Sequence, residues 1–278
     1  MALNSINTNY GAMVALQNLN AINTELATTQ QRISTGLKVS SAKDNPAIWA
    51  IAQNQRGDIM ALDSVKDSIQ RGQSTLDVAI SAGETISDLL NQMKAKALAG
   101  ADASLDTNAR TAMNNDFVAL RNQIAKTIAG ATFNGANLLK TAAGALYALA
   151  DASGGSKLTV GAQIMGLGAA GSAITIGATA SFNTAATASA LVAALTTSIT
   201  NVNSAVARLG TGSKAFDTHL NFIGKLQDTM AAGVGNLVDA DIAKESAKLQ
   251  ALQVKQQLAI KAMAIANQTT SYLLQLFR

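Results

Sequence analysis

The 278-residue chain has no cysteine, one proline and one histidine. Lack of cysteine excludes disulfides, thiolate metal sites and thiol nucleophiles. The lone His219 leaves little scope for imidazole chemistry. With Pro46 as the single proline, nothing else of that kind interrupts a long helix. Aromatic residues make up only 4% of the chain. A core without that bulk must be built from alanine and aliphatic side chains, which suit close helix packing. Charged residues are also sparse at 14%, with a net charge of +4. The lysines and arginines are scattered and form no basic stripe with interleaved aromatics, which speaks against nucleic acid as a partner. The first basic residue is Arg32, and Asn4, Asn7 and Asn9 interrupt any apolar start, so no secretory signal peptide is expected. No unbroken apolar run is long enough for a membrane span.

What is present is helical periodicity. Residues 1–31 carry a single charge, Glu25. Leu3, Ile6, Tyr10 and Met13, then Leu19, Ile22, Leu26 and Ile33, fall on helical faces. Asn and Gln occupy the opposite face, where a solvated helix carries charge. An uncharged polar face fits contact with further protein, where amides can pair and charges are costly. The stretch RISTGLKVSSAKDNPA then predicts a loop over 34–44, holding Ser34, Gly36 and Asp44, with Asn45 as N-cap and Pro46 at the first helical position.

From Ala47 to about Ala99 the apolar seam is continuous, through Ile59, Leu62, Val65, Ile69, Leu76, Ile80, Ile86, Leu90, Met93 and Ala97. Some fifty residues of helix extend about 80 Å, a length that points to a coiled coil. A third helix is predicted over about 105–129, ending near Gly130, followed by a tight Asn134-Gly135 turn in FNGANLL. Residues 141–186 change character, and KLTVGAQIM and SAITIGATASF predict a small β-containing insert. After about Thr187 a near-heptad seam resumes, from Leu191 to Met230, with Gly233 and Gly235 expected to break it. Asp239 and Asp241 open the last helix at its positive end. That helix carries two apolar seams, one through Leu252, Ala259, Met263, Ala266, Leu273 and Phe277, the other through Val254, Leu258, Ile265, Tyr272 and Leu276. Two such faces mean a helix surrounded by protein.

The predicted fold is therefore mainly α: a nested antiparallel long-helix coiled-coil rod with paired terminal helices and a small β-containing central insert. Residues 1–33 and 240–278 form the arms, 34–140 and 187–239 the long-helix rod, and 141–186 the insert.

Candidate chemistry is thin. GLGAAG, from Gly166 to Gly171, fits a dinucleotide fingerprint, but a strand is predicted after it where a helix is needed, and no acidic residue follows at the ribose-binding distance. Asp239, Asp241 and Glu245 lie close in DADIAKE but lack the glycine and further oxygen ligands of a calcium loop; acids at a helix start account for them. His219 has no partner motif. No catalytic set, cofactor site or metal site is expected.

Several of these stretches resemble one family, bacterial flagellin, the subunit of the flagellar filament. RISTGLKVSSAKDNPA resembles its signature near the amino end, and FNGANLL the turn closing its amino-terminal rod. DADIAKE, LQALQVKQQLAIKAMAIANQ and the terminal LLQLFR resemble its carboxy-terminal arm. The likeness covers about 1–140 and 187–278, and leaves a short middle that matches nothing specific. It implies that Leu3, Ile6, Tyr10, Met13, Leu258, Ile265, Leu273, Leu276 and Phe277 pack on the arms of neighbouring subunits in the filament core. It also implies a homopolymer, alone or with other flagellins, an export chaperone, cap and junction proteins, and unfolded type III export to an extracellular filament. No cofactor and no catalysis are implied. In enteric flagellins the segment corresponding to LNQMKAKALA is read by an innate immune receptor through an Arg and a Leu. Here Gln92 and Lys96 stand at those places, which implies weak recognition. Two other readings remain open from sequence: a flagellar hook–filament junction protein and an intracellular coiled-coil scaffold.

Overall fold

The computed structural model describes the backbone of residues 8–275, with side-chain surroundings through Gln268. Among the described residues five helices and one two-stranded sheet occur. The helices are α1 (Tyr10–Thr35), α2 (Pro46–Gly100), α3 (Thr107–Gly130), α4 (Ala185–Val238) and α5 (Ile242–Gln275). The strands are β1 (Leu146–Leu149) and β2 (Lys157–Val160), paired antiparallel with Leu146 opposite Val160. The fold is mainly α, with a small sheet in the middle of the chain, as the sequence predicts. Two compact units occur: a terminal unit of the chain ends, up to Gly57 and from Thr229, and a long-helix unit over Asp58–Asp228.

In the long-helix unit α2 buries Leu62, Val65, Ile69, Leu76, Ala79, Ile86, Leu90, Met93 and Ala97. Gly72, Gly83 and Gly100 fill the remaining places of the same alternating three-and-four spacing. That is a strict heptad seam. Helix α4 answers with buried Leu195, Ser198, Val202, Ala205, Leu209, Phe216 and Ile223 on the same spacing, Gly212 and the half-buried His219 taking the gaps. The two run antiparallel. Gln227 Nε2 donates to Asp63 Oδ1, Gln73 to Asp217, and Ser87 Oγ to Asn203 Oδ1, so the numbers rise on one helix as they fall on the other.

The seam glycines are sockets. A Cβ on Gly72 would lie 2.5 Å from the Phe216 ring, and one on Gly83 2.6 Å from Val206 Cγ2. Gly210, on α4, has open space at the same point. Alanine normally stabilises a helix by about 1 kcal/mol over glycine. Overpacking a core costs about 1–3 kcal/mol. Gly72→Ala is therefore expected to lower the urea midpoint of this unit, while Gly210→Ala raises it. Equal shifts would contradict the socket assignment.

Helix α3 starts on an Asp106 N-cap and buries Phe117, Ile124 and Ile128. Arg110 closes the C-terminus of α2, donating from Nε to the Gly100 carbonyl at 3.1 Å. The FNGANLL turn forms as expected: Phe133 and Ala136 exchange two 2.9 Å backbone hydrogen bonds across Asn134 (φ 47°) and Gly135 (φ 79°). Both left-handed residues belong to a type I′ turn, where Asn and Gly are preferred.

Two sequence expectations are corrected. SAITIGATASF forms no strand. Its backbone turns to helix side chains in place of a ladder: the Thr175 N–H donates to Ser198 Oγ at 3.0 Å and the Phe182 N–H to Asn114 Oδ1 at 2.8 Å. Ile174, Ile176 and Phe182 are nonetheless buried. Gly233 and Gly235 do not end α4, which continues to Val238 because Val234 and Val238 are buried there. Burial of two valines offsets two helical glycines at about 1 kcal/mol each. By length and composition alone α4 is also long and apolar enough to cross a membrane, a test that a core helix passes too. Its described seam residues Leu195, Val202, Leu209 and Phe216 are buried in the pairing with α2.

Candidate assembly surface

Helices α1 and α5 pair antiparallel in the terminal unit. Asn9 Nδ2 donates to the Ala266 carbonyl at 2.8 Å, Gln256 Nε2 to Asn23 Oδ1 at 2.7 Å, and Arg32 Nη1 meets Glu245 Oε1 at 3.2 Å. On α1 the half-buried residues are Ala12, Ala15, Leu19, Ile22, Leu26, Thr28, Arg32 and Ile33, with Thr29 buried among them. Among the described side chains of α5 they are Glu245, Ser246, Leu249, Gln256, Ala259, Met263 and Ala266, with Leu252 buried. Each helix thus spends one seam on the other.

The pairing makes almost no core. Over 26 and 34 residues, the two helices fully bury only Thr29 and Leu252 among the described side chains. The second apolar face stays outside. Tyr10 is 73% exposed, Met13 59%, Leu258 60% and Ile265 63%. Val254 is exposed on the same side of α5 as Leu258. A shallow groove of 640 Å³ between the helices is lined by Val14, Ile22, Leu252, Leu258 and several alanines, with Glu25 and Lys255 at its edge. Leu3, Ile6, Leu276 and Phe277 lie outside the described residues, as does the side chain of Leu273.

The connection from α1 to α2 differs at its edges from expectation. Ser34 belongs to the last turn of α1, its Oγ donating to the Gln31 carbonyl at 3.0 Å. Pro46 is the first residue of α2, and Asn45 caps it by accepting from the Ile48 N–H. The loop therefore holds Gly36 and Asp44 but not Ser34, and Pro46 opens α2 at the first helical position. Helix α1 runs one residue beyond the serine, to Thr35, whose Oγ1 donates to the same Gln31 carbonyl at 2.8 Å. Gly36 ends it at φ 72°, where its N–H donates to the Arg32 carbonyl. This left-handed cap suits glycine, and Gly36→Ala is expected to cost about 1 kcal/mol, read as a lower melting temperature.

Beyond the cap, Leu37 bridges to Asp239, and the N–H groups of Lys38 and Val39 both reach the Val238 carbonyl. Asp44 gathers four donors with one oxygen: the N–H and Oγ of Ser40 and of Ser41. The Ser41 backbone bond, then the Ser40 hydroxyl, hold its pKa below the ordinary 3.8. A depressed folded pKa means these bonds are complete above pH 3.8 and are lost as acid titrates the folded carboxylate. The Ser41 amide resonance is expected to shift only below that pH, and not at all in Asp44→Asn.

The remaining acids of DADIAKE have separate structural roles. Asp241 Oδ1 caps α5 by accepting from the Lys244 N–H, Glu245 holds Arg32, and Asp239 sits in the bridge to Leu37. Among the described residues no three metal-ligating side chains converge. After Gly171 the chain is irregular, so the GLGAAG stretch lacks the strand–helix frame of a dinucleotide site. His219 Nε2 lies 2.7 Å from the Ala150 carbonyl. On α2, Gln92 is exposed and Lys96 Nζ is paired with Asp116 Oδ2 of α3 at 2.7 Å.

Comparison with known proteins agrees with this arrangement. The bacterial flagellin N-terminal helical region matches residues 6–143, and the C-terminal helical region matches 192–277. Flagellin FljM of Caulobacter vibrioides is 54% identical over 278 residues, the whole of both chains. A flagellin of Brucella melitensis biotype 1 is 35% identical over 287 residues, spanning 99% of each. A Bacillus cereus flagellin crystal structure aligns with 56% of this chain and 88% of its own, with a TM-score of 0.48 and 23% identity. With both helical end regions matched and relatives alike from end to end, the chain belongs to the bacterial flagellin family.

Proposed function

We propose that this chain is a structural subunit that polymerises into the helical flagellar filament and serves swimming motility. The observation that carries the reading is the terminal unit. Two long helices bury two side chains between them and leave Tyr10, Met13, Leu258 and Ile265 in water. Exposed apolar faces of this extent mark a site of association. Copies of the same chain are the natural cover, because a head-to-tail contact that does not close builds an open helical polymer. Leu3, Ile6, Leu273, Leu276 and Phe277 extend the same surfaces in sequence.

The finer reading follows from the family. The subunit is secreted, travels unfolded through the flagellar type III channel, and adds at the tip of an extracellular filament, alone or with other flagellins. An export chaperone and cap or junction proteins are its transient partners. Its role is mechanical, and no catalytic step belongs to it. The test is direct. Purified subunit mixed with filament fragments elongates them, and subunit lacking both arms does not. Failure of the intact subunit to elongate seeds overturns the reading.

Receptor recognition is part of the proposal. Gln92 offers no cation, and Lys96 replaces an apolar contact with a charge already held by Asp116. Purified monomer at low concentration is expected to leave the innate receptor silent. Strong activation would contradict this.

A further inference from the structure

The long-helix unit carries a projecting aromatic and, elsewhere, a groove of matching chemistry. On the hairpin, Tyr147 of β1 is 62% exposed. Lys157 of β2, its diagonal neighbour on the same face, places Nζ 6.0 Å from the Tyr147 ring centroid. The pair forms one protruding unit, a ring with a cation laid against it. The hairpin beneath it is fixed. The Leu149 N–H donates to Ser68 Oγ of α2 at 3.1 Å, and the Ala150 carbonyl meets His219 of α4.

The groove lies between α2 and the end of α3. Val78, Ala82, Thr127 and Ala131 give it a mainly apolar lining of small side chains, with a volume of 540 Å³. Asp77 stands on its edge. Asp77 is exposed and forms no ion pair among the described residues, and the same holds for Lys157. The groove begins nine residues beyond Ser68, about 13 Å further along the helix. Neither Tyr147 nor Lys157 lines the groove of its own chain.

We propose that the Tyr147–Lys157 knob of one subunit seats in the α2–α3 groove of a second copy, with Lys157 meeting Asp77. This rests on the filament reading above and adds to it a specific contact between long-helix units. Charge selects the occupant. The knob brings a ring and a cation, while the groove offers small apolar side chains and one free carboxylate. Knob and groove are different surfaces of one chain, so the contact is heterologous and repeats without closing.

The cysteine-free background supplies a clean test. Full-length Tyr147→Cys and Ser81→Cys subunits are mixed, grown on seeds and oxidised; Ser81 lies in the groove. A disulfide-linked heterodimer is expected from mixed filaments and not from mixed monomer. Filaments of either variant alone should stay uncrosslinked. Filaments without the heterodimer, or with a Tyr147→Cys homodimer, overturn the contact. In a second arm, Asp77→Lys and Lys157→Asp each raise the critical concentration about tenfold, and the double reversal returns it towards the original. Unchanged singles, or a double no better than the sum of both, also overturn it. Circular dichroism of the monomers controls for folding. If unmodified subunit fails to extend seeds, the filament reading falls; if it extends them and the cross-link and charge reversals fail, only this contact falls.

Discussion

Leu258→Asp combined with Ile265→Asp is expected to abolish seeded filament growth while leaving the helicity of the long-helix unit intact. Both side chains are largely exposed, Leu258 (60%) where it lines the open α1–α5 groove and Ile265 (63%) outside it. The substitution therefore removes no internal core, and an aspartate there is at home in water. In the filament proposed above the same positions would face protein. Covering each aliphatic chain contributes about 1.5–3 kcal/mol, and an unpaired carboxylate in that place costs several kcal/mol more. The combined loss, on the order of 5 kcal/mol or above, raises the critical concentration more than a thousandfold. Sedimentation and electron microscopy of seeded mixtures read the result. Leu252→Asp provides the contrast, because Leu252 is the one buried apolar side chain of α5 among the described residues. That change should damage the terminal unit itself. Normal growth of the Leu258 and Ile265 variant would show that this face meets nothing.

Phe182→Ala is expected to be the most damaging single change in the long-helix unit, at about 3–5 kcal/mol. The ring is 1% exposed and meets Phe117 of α3 edge-on, with centroids 5.4 Å apart. It rests against Gly100 at the end of α2, and its own N–H is held by Asn114. One side chain from an irregular segment thus ties α2 to α3. Alanine leaves a cavity between two helices that cannot close it without moving their termini, as Arg110 pins the end of α2. The expected readout is a drop of many degrees in the melting temperature of the unit. Tyr147→Ala, exposed on the hairpin, should leave the monomer almost unchanged. A Phe182→Ala effect no larger than that control would contradict the packing role.

How much of this was legible in the sequence depends on side-chain size. Long aliphatic residues at steps of three and four located α2, α4 and both seams of α5. Asn45 with Pro46 fixed the start of α2, and Asn134-Gly135 the turn after α3, since each type satisfies a specific backbone need. Small seam residues were not legible. Gly72, Gly83 and Ser198 read as gaps, yet they complete the heptads, because a large partner such as Phe216 requires an empty socket opposite. SAITIGATASF was misread for a related reason: β-branched residues register burial, and here burial comes without a ladder because Ser198 and Asn114 accept from the Thr175 and Phe182 N–H groups. Of the expected assembly residues, Tyr10, Met13, Leu258 and Ile265 carried the clearest signal, a second apolar face that a two-helix pair has no means to cover. The knob and groove of the long-helix unit carried none, since a lone Tyr and a run of small residues look ordinary until the chain is folded.

Hydrogen–deuterium exchange on the full chain, as dilute monomer and as filament, tests the central claim most directly. With Thr29 and Leu252 the buried residues of α1 and α5 among the described side chains, the proposed reading has these helices draw their stability from neighbouring subunits. In the monomer their amides should exchange far faster than those along the α2–α4 seam, and in the filament both sets should be protected. Monomer helices α1 and α5 protected as well as that seam would contradict the account.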